Sequence, residues 1–105
     1  MGFDEEMLFS IKTSLNVEVR TTVKYWEYLI TIKHPIMKGK EDLVKDILQF
    51  PDEIRQSKTD RDVFLYYKQF DKLYCVVVRH LGMAGFLITS YPTDKVKEGN
   101  VIWTK

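Results

Sequence analysis

Apolar positions along the chain change their period twice. In "MLFSIK" and "LNVEVR" they have the spacing of strands, and Val17 and Val19 alternate with Glu18 and Arg20. These first twenty residues read either as a hairpin or as a loose arm packed on the body. From Thr22 the period lengthens. Val23, Trp26, Leu29, Ile30 and Lys33 follow helical spacing, with Tyr25 and Ile32 widening the stripe. Thr22 suits an N-cap, because its hydroxyl can accept from a free amide of the first turn. Pro35 disfavours helical backbone in the residue before it, so the helix should end near Lys33 or His34. A second helix fits "GKEDLVKDILQF", with Leu43, Val44, Ile47 and Leu48 on one face and Glu41 and Asp42 at the positive end of the dipole.

After Pro51 the short period returns. "DEIRQS", "DVFLYYKQF", "KLYCVVVRHL" and "GFLITSY" read as successive strands, and "VIWTK" as a short final one. Phe70 and Asp71 stand where a tight hairpin turn is expected, and "GMAG" supplies glycines for the next. The expected fold is α+β: two N-terminal helices on one face of an antiparallel meander of about four strands, preceded by a strand or arm. Residues 1–105 form one domain on this reading, with the arm in 1–20, the helices in 21–50 and the sheet in 52–105.

Composition narrows the function classes. The chain has 105 residues, enough for one core, and 16 basic against 15 acidic side chains leave a net charge of +1. Bulk charge therefore makes no case for nucleic acid, and any such case rests on a local cluster. The single cysteine, Cys75, excludes an internal disulfide and reads as a small buried hydrophobe among valines. No run approaches the roughly 18 apolar residues that span a membrane. The start, "MGFDEEMLF", carries acids where a signal peptide carries basic residues, so a cytoplasmic protein without membrane association is expected.

Neither a metal-ligand constellation nor a phosphate-binding glycine loop is present in the sequence, and no cofactor is expected. His34 is a candidate acid or base at a helix end; the plain account is a histidine favoured by the helix dipole. His80 reads as a polar strand end. On the strands, Arg55 and Ser57 share a face, as do Tyr66 and Lys68, and Thr89 and Tyr91. A two-residue turn at Phe70 and Asp71 sets Lys68 opposite Leu73, which puts Tyr66 and Lys68 on the Arg79 face. The next hairpin leaves its register open. An odd loop within "LGMAG" brings Thr89 and Tyr91 to the Arg79 face, whereas an even loop brings Ser90. If the faces coincide, Arg55, Lys68, Arg79, Tyr66, Thr89 and Tyr91 make a basic, hydroxyl-bearing surface able to hold phosphate and transfer protons. The plain account is that any sheet with one wet face carries such residues.

"KHP" at a helix end, "PDEIRQS", the "YYK" and "VVVRH" strands, "ITSYPTDKVKEG" and a closing "VIW" together resemble small phage- and cyanobacteria-associated domains. These belong to the barnase–EndoU–colicin–RelE-like superfamily of metal-independent ribonucleases. The resemblance spans roughly Val19 to Trp103. It implies two helices before a four-stranded antiparallel sheet, with RNA on the face away from the helices. It also implies a catalytic set of His34, Arg79, Thr89 and Tyr91. Substrate would be bound by Arg55, Ser57, Tyr66 or Tyr67, and Lys68. No glutamate is placed as a base, and His80 lies outside the pattern.

Three readings follow. The first is a metal-independent, toxin-like endoribonuclease. The second is a non-catalytic RNA- or protein-binding module. The third is an antitoxin-like or oligomeric partner, marked by an apolar patch on the "MLFSIK" arm; a protein inhibitor or self-association is the expected protein contact. The position of His34 relative to the Arg79–Tyr91 face discriminates the first from the others.

Overall fold

The structure, a computed structural model, describes residues 6–95 and 99–105. Strands β1 (Met7–Lys12) and β2 (Glu18–Thr22) form an antiparallel hairpin. Its turn is organised by Thr13, whose hydroxyl accepts from the Leu15 amide at 3.1 Å. Thr22 then caps α1 (Val23–Tyr28), accepting from the Tyr25 amide at 3.0 Å, as the sequence predicts. The helix continues as a π-helical turn, Leu29–Lys33, closed by a 2.7 Å bond from the His34 amide to the Leu29 carbonyl. A 3₁₀ turn at Pro35–Met37 and helix α2 (Glu41–Gln49) follow. Strands β3 (Glu53–Gln56), β4 (Val63–Gln69), β5 (Leu73–Leu81), β6 (Ala84–Thr93) and β7 (Asn100–Thr104) complete the chain.

All seven strands join one sheet in the order β1–β2–β6–β5–β4–β3–β7, with β2 parallel to β6 and the other neighbours antiparallel. This corrects the expected four-stranded antiparallel meander carrying two helices. Each expected strand forms, but the N-terminal hairpin is part of the sheet, and the helices are short. The meander alone would leave β6 and β3 as bare edges, each with a row of unpaired backbone groups. Residues Glu18–Arg20 pair along β6 at Ala84–Phe86, and β7 pairs along β3, so both edges are covered. Pairing β2 with β6 also buries Val17 and Val19 completely or nearly so.

The main core lies between the sheet and the helical segment. Trp26, Leu29, Met37, Val44, Ile47 and Leu48 pack on Val19, Ile54, Tyr66, Tyr74, Val76, Val78 and Leu87. The opposite face is not a plain wet surface. Leu65, Tyr67, Cys75 and Val77 form a second buried cluster there, flanked by Val63, Leu73, Ile88 and Tyr91. Cys75 is fully buried, as its valine neighbours predict. Among the described residues no helix is long and apolar enough to cross a membrane.

Candidate functional site at the edge of strand β6

Two register details decide which side chains meet. The β4–β5 loop contains three residues, because Gln69 pairs with Leu73 and the Phe70 amide bonds the Lys72 carbonyl at 2.8 Å. Lys68 therefore pairs with Tyr74, not Leu73. That one-residue slip moves Tyr66 and Lys68 to the helix face, away from Arg79, and the expected shared face is corrected. Tyr66 is fully buried, with its hydroxyl 3.1 Å from both Thr13 Oγ1 and His80 Nε2. Lys68 Nζ bonds Asp46 of α2 at 2.7 Å.

The β5–β6 turn is even: Leu81 pairs with Ala84. Continued without interruption, this register would bring Ser90 to the Arg79 face. A bulge at Ile88 reverses the parity, since Val78 pairs with Leu87 but Val77 pairs with Thr89. Thr89 and Tyr91 consequently share the outer face with Cys75, Val77 and Arg79. Ser90 turns inward and donates to the Cys75 carbonyl at 3.0 Å.

The bulge also fixes the helical segment. It aims the Ile88 carbonyl out of the ladder, where it accepts from Tyr25 Oη at 2.5 Å and from Lys33 Nζ at 3.3 Å. These contacts seat the π-helical turn on the β6 edge beyond the end of β2. His34 follows immediately, and its ring lies 5.2 Å from that of Tyr91, tilted by 44°. Partial burial and then the charge of Lys33 hold the His34 pKa below its usual value, so the imidazole is neutral at pH 7. His34, Lys33, Thr89 and Tyr91 are thus gathered at one place. Sequence periodicity assigns Lys33 only to a helical stripe and gives no sign of Tyr25 as an anchor.

The remaining expected ligands lie elsewhere or are engaged. Arg79 binds Asp60 at 2.8 Å and approaches Asp62 at 3.9 Å. The Asp60 carboxyl is held below its usual pKa by the Asp62 amide first and Arg79 second. Arg55 sits on the outer face opposite Leu65, where its guanidinium pairs with Glu53 and donates to the Gly99 carbonyl at 3.1 Å. Ser57 is buried and accepts from the amides of Thr59 and Asp60 at 3.2 and 3.3 Å, shaping the turn that presents Asp60 to Arg79. An open cleft of about 520 Å³ borders the outer cluster, lined by Gln69, Lys72, Leu73, Pro92, Thr93 and Asp94. The rest of the lysine-bearing loop, residues 96–98, lies outside the described residues.

In comparisons with known proteins, no family model, curated protein or solved structure matches the chain.

Proposed function

We propose that this protein is a non-catalytic binding module that engages a protein partner. The observation that carries the reading is the state of the three sheet cations expected to hold phosphate. Lys68, Arg55 and Arg79 each have a carboxylate partner, and Lys68 lies on the helix side of the sheet. A cation already matched by a carboxylate has little field left for phosphate, and its release costs the existing bond. Large exposed apolar side chains at the β5–β6 hairpin, Leu81, Met83 and Phe86, favour a protein surface as the partner.

RNA cleavage is the second reading: His34 reaches Tyr91 as that reading requires, but Arg79 of the same face is engaged by Asp60 and Asp62, so the face lacks its free guanidinium. A neutral imidazole can take the 2′-hydroxyl proton, with Lys33 as the nearby cation and Tyr91 as a proton donor. The two readings separate in one assay. The protein is incubated with single-stranded RNA in chelator, as wild type, His34→Ala and Tyr91→Phe. The binding-module reading expects intact RNA with all three, and no RNA retention at about 0.15 M salt. Cleavage by the wild type that both substitutions abolish overturns it in favour of the ribonuclease. Retention of uncleaved RNA with steep salt dependence overturns the choice of a protein partner.

A further inference from the structure

Pairing between β2 and β6 stops at Arg20 and Phe86, and the chain then leaves the sheet as α1. The two segments diverge, and Tyr25 bridges them again by bonding the Ile88 carbonyl. A cleft of about 290 Å³ opens between the end of the pairing and that bridge. Its walls include Met7, Tyr25, Phe86 and Leu87, with Arg20, Thr21 and Thr22 as polar members, and the Thr22 hydroxyl is taken by the Tyr25 amide. The volume is near the lower end of small-molecule sites, roughly 300–1,000 Å³, which typically combine apolar walls with few polar groups.

The polar members are what point to a ligand. Arg20 is exposed and forms no ion pair among the described residues. The carboxylate two residues away, Glu18, accepts from Ser10 Oγ at 2.6 Å. Thr21 is 5% exposed, and its hydroxyl has no hydrogen-bond partner among the described residues. A buried hydroxyl without a partner is uncommon in native proteins and asks for an explanation. An apolar cleft whose wall carries a guanidinium without an ion-pair partner among the described residues suits a small apolar acid, because guanidinium binds carboxylate through two parallel hydrogen bonds.

We propose that this cleft binds a small aromatic or aliphatic monocarboxylate, with the apolar group between Met7, Tyr25 and Phe86 and the carboxylate on Arg20. The cleft adjoins the His34–Tyr91 cluster through Tyr25 but contains none of its four residues, and the proposal does not depend on the binding-module reading above.

The test titrates the full chain with phenylacetate and with 2-phenylethanol, its neutral counterpart, following backbone amide shifts. The expected result is saturable shifts at Arg20, Thr21, Phe86 and Leu87, with the acid binding at least about tenfold more tightly than the alcohol. Arg20→Gln should remove that preference while leaving the unfolding midpoint unchanged, since Arg20 is exposed. Phe86→Ala should weaken both ligands alike. Equal affinity of acid and alcohol, shifts centred elsewhere, or no saturable shift overturns the proposal. So does a peptide with an internal Phe-Asp pair that binds more tightly than phenylacetate, because the cleft then belongs to a protein partner.

Discussion

Tyr25 Oη donates a 2.5 Å hydrogen bond to the backbone carbonyl of Ile88, across a sequence separation of 63 residues. The bond joins a capped helix to a bulged strand, and the position of His34 against Tyr91 depends on both. Tyr25→Phe removes the shorter of the two side-chain hydrogen bonds to the Ile88 carbonyl and leaves the 3.3 Å contact from Lys33. The expected loss is about 1–2 kcal/mol in urea unfolding. Hydrogen exchange should quicken first at Leu29–His34. An unchanged midpoint together with unchanged exchange there would show that the bond does not hold the turn.

Deleting Ile88 separates the two jobs of the bulge. Leu87 faces inward opposite Val78 and Thr89 outward opposite Val77, so the strand without Ile88 alternates regularly and both flanking registers survive. The variant should keep its sheet but lose the carbonyl that anchors Tyr25 and Lys33. It should also lose part of the outer apolar cluster to which Ile88 contributes. The expected signature is retained strand circular dichroism, slow exchange in β5, and loss of the His34–Tyr91 nuclear Overhauser contacts. Retention of those contacts would show that apolar packing alone places the π-helical turn.

Strands β3 to β7 are legible in the sequence as apolar segments bounded by turn residues, whereas the first twenty residues leave hairpin and arm open; the Thr22 cap is legible from its local chemistry. Register is not. The central strands β4 and β5 carry apolar residues on both faces: Tyr66, Val76 and Val78 inward, Leu65, Cys75 and Val77 outward. A one-residue slip therefore costs the apolar pattern almost nothing, and the two- and three-residue loops at Phe70 look alike from sequence. The Ile88 bulge is hidden in the same way, inside an apolar run. Parallel pairing of β2 with β6 joins residues more than sixty positions apart, beyond any local period. Carboxylates that neutralise the strand cations, Asp46 and Asp60 among them, come from a helix and a turn and have no signal in strand alternation.

Gly85 is required by a close approach between strands. A Cβ built there would meet the Arg79 carbonyl oxygen at 2.5 Å and Val17 Cγ1 at 3.4 Å. The nearer atom is backbone, held in the ladder by the His80–Gly85 pair, and has little freedom to yield. Gly85→Ala should cost about 2–3 kcal/mol, within the range of overpacking in a rigid site. Gly82→Ala at the turn meets no atom within 4 Å and strains only a backbone at φ 68°, so it should cost about 1 kcal/mol. Comparing the two urea midpoints checks the argument. Equal costs would show that the β5–β6 ladder relaxes around the added methyl.

Acid should destabilise the protein through His80. Its ring is stacked on Phe64 at 4.0 Å and shares a hydrogen bond with the buried Tyr66 hydroxyl. Burial lowers its pKa from 6.5 to about 4, and burial likewise raises that of Tyr66 to about 12. Between those two histidine values the unfolded chain binds the proton and the native protein does not. Stability is therefore complete above about pH 6.5 and falls as pH drops towards 4. The full difference corresponds to a ceiling of about 3 kcal/mol, reduced to roughly 2 by the ring's partial exposure. His34, whose pKa is also lowered by partial burial and then by Lys33, adds a loss of the same sign below 6.5. Asp52 has the same sign at lower pH, because its pKa is lowered chiefly by the Lys105 bond and its contribution is lost as pH falls through the native value. His80→Gln removes the first contribution only. Unfolding free energies measured from pH 7 to 4.5 should slope less in this variant than in the wild type. Parallel slopes would show that His80 protonates in the native protein near its ordinary pKa and that the Tyr66–His80 pair tolerates the charge.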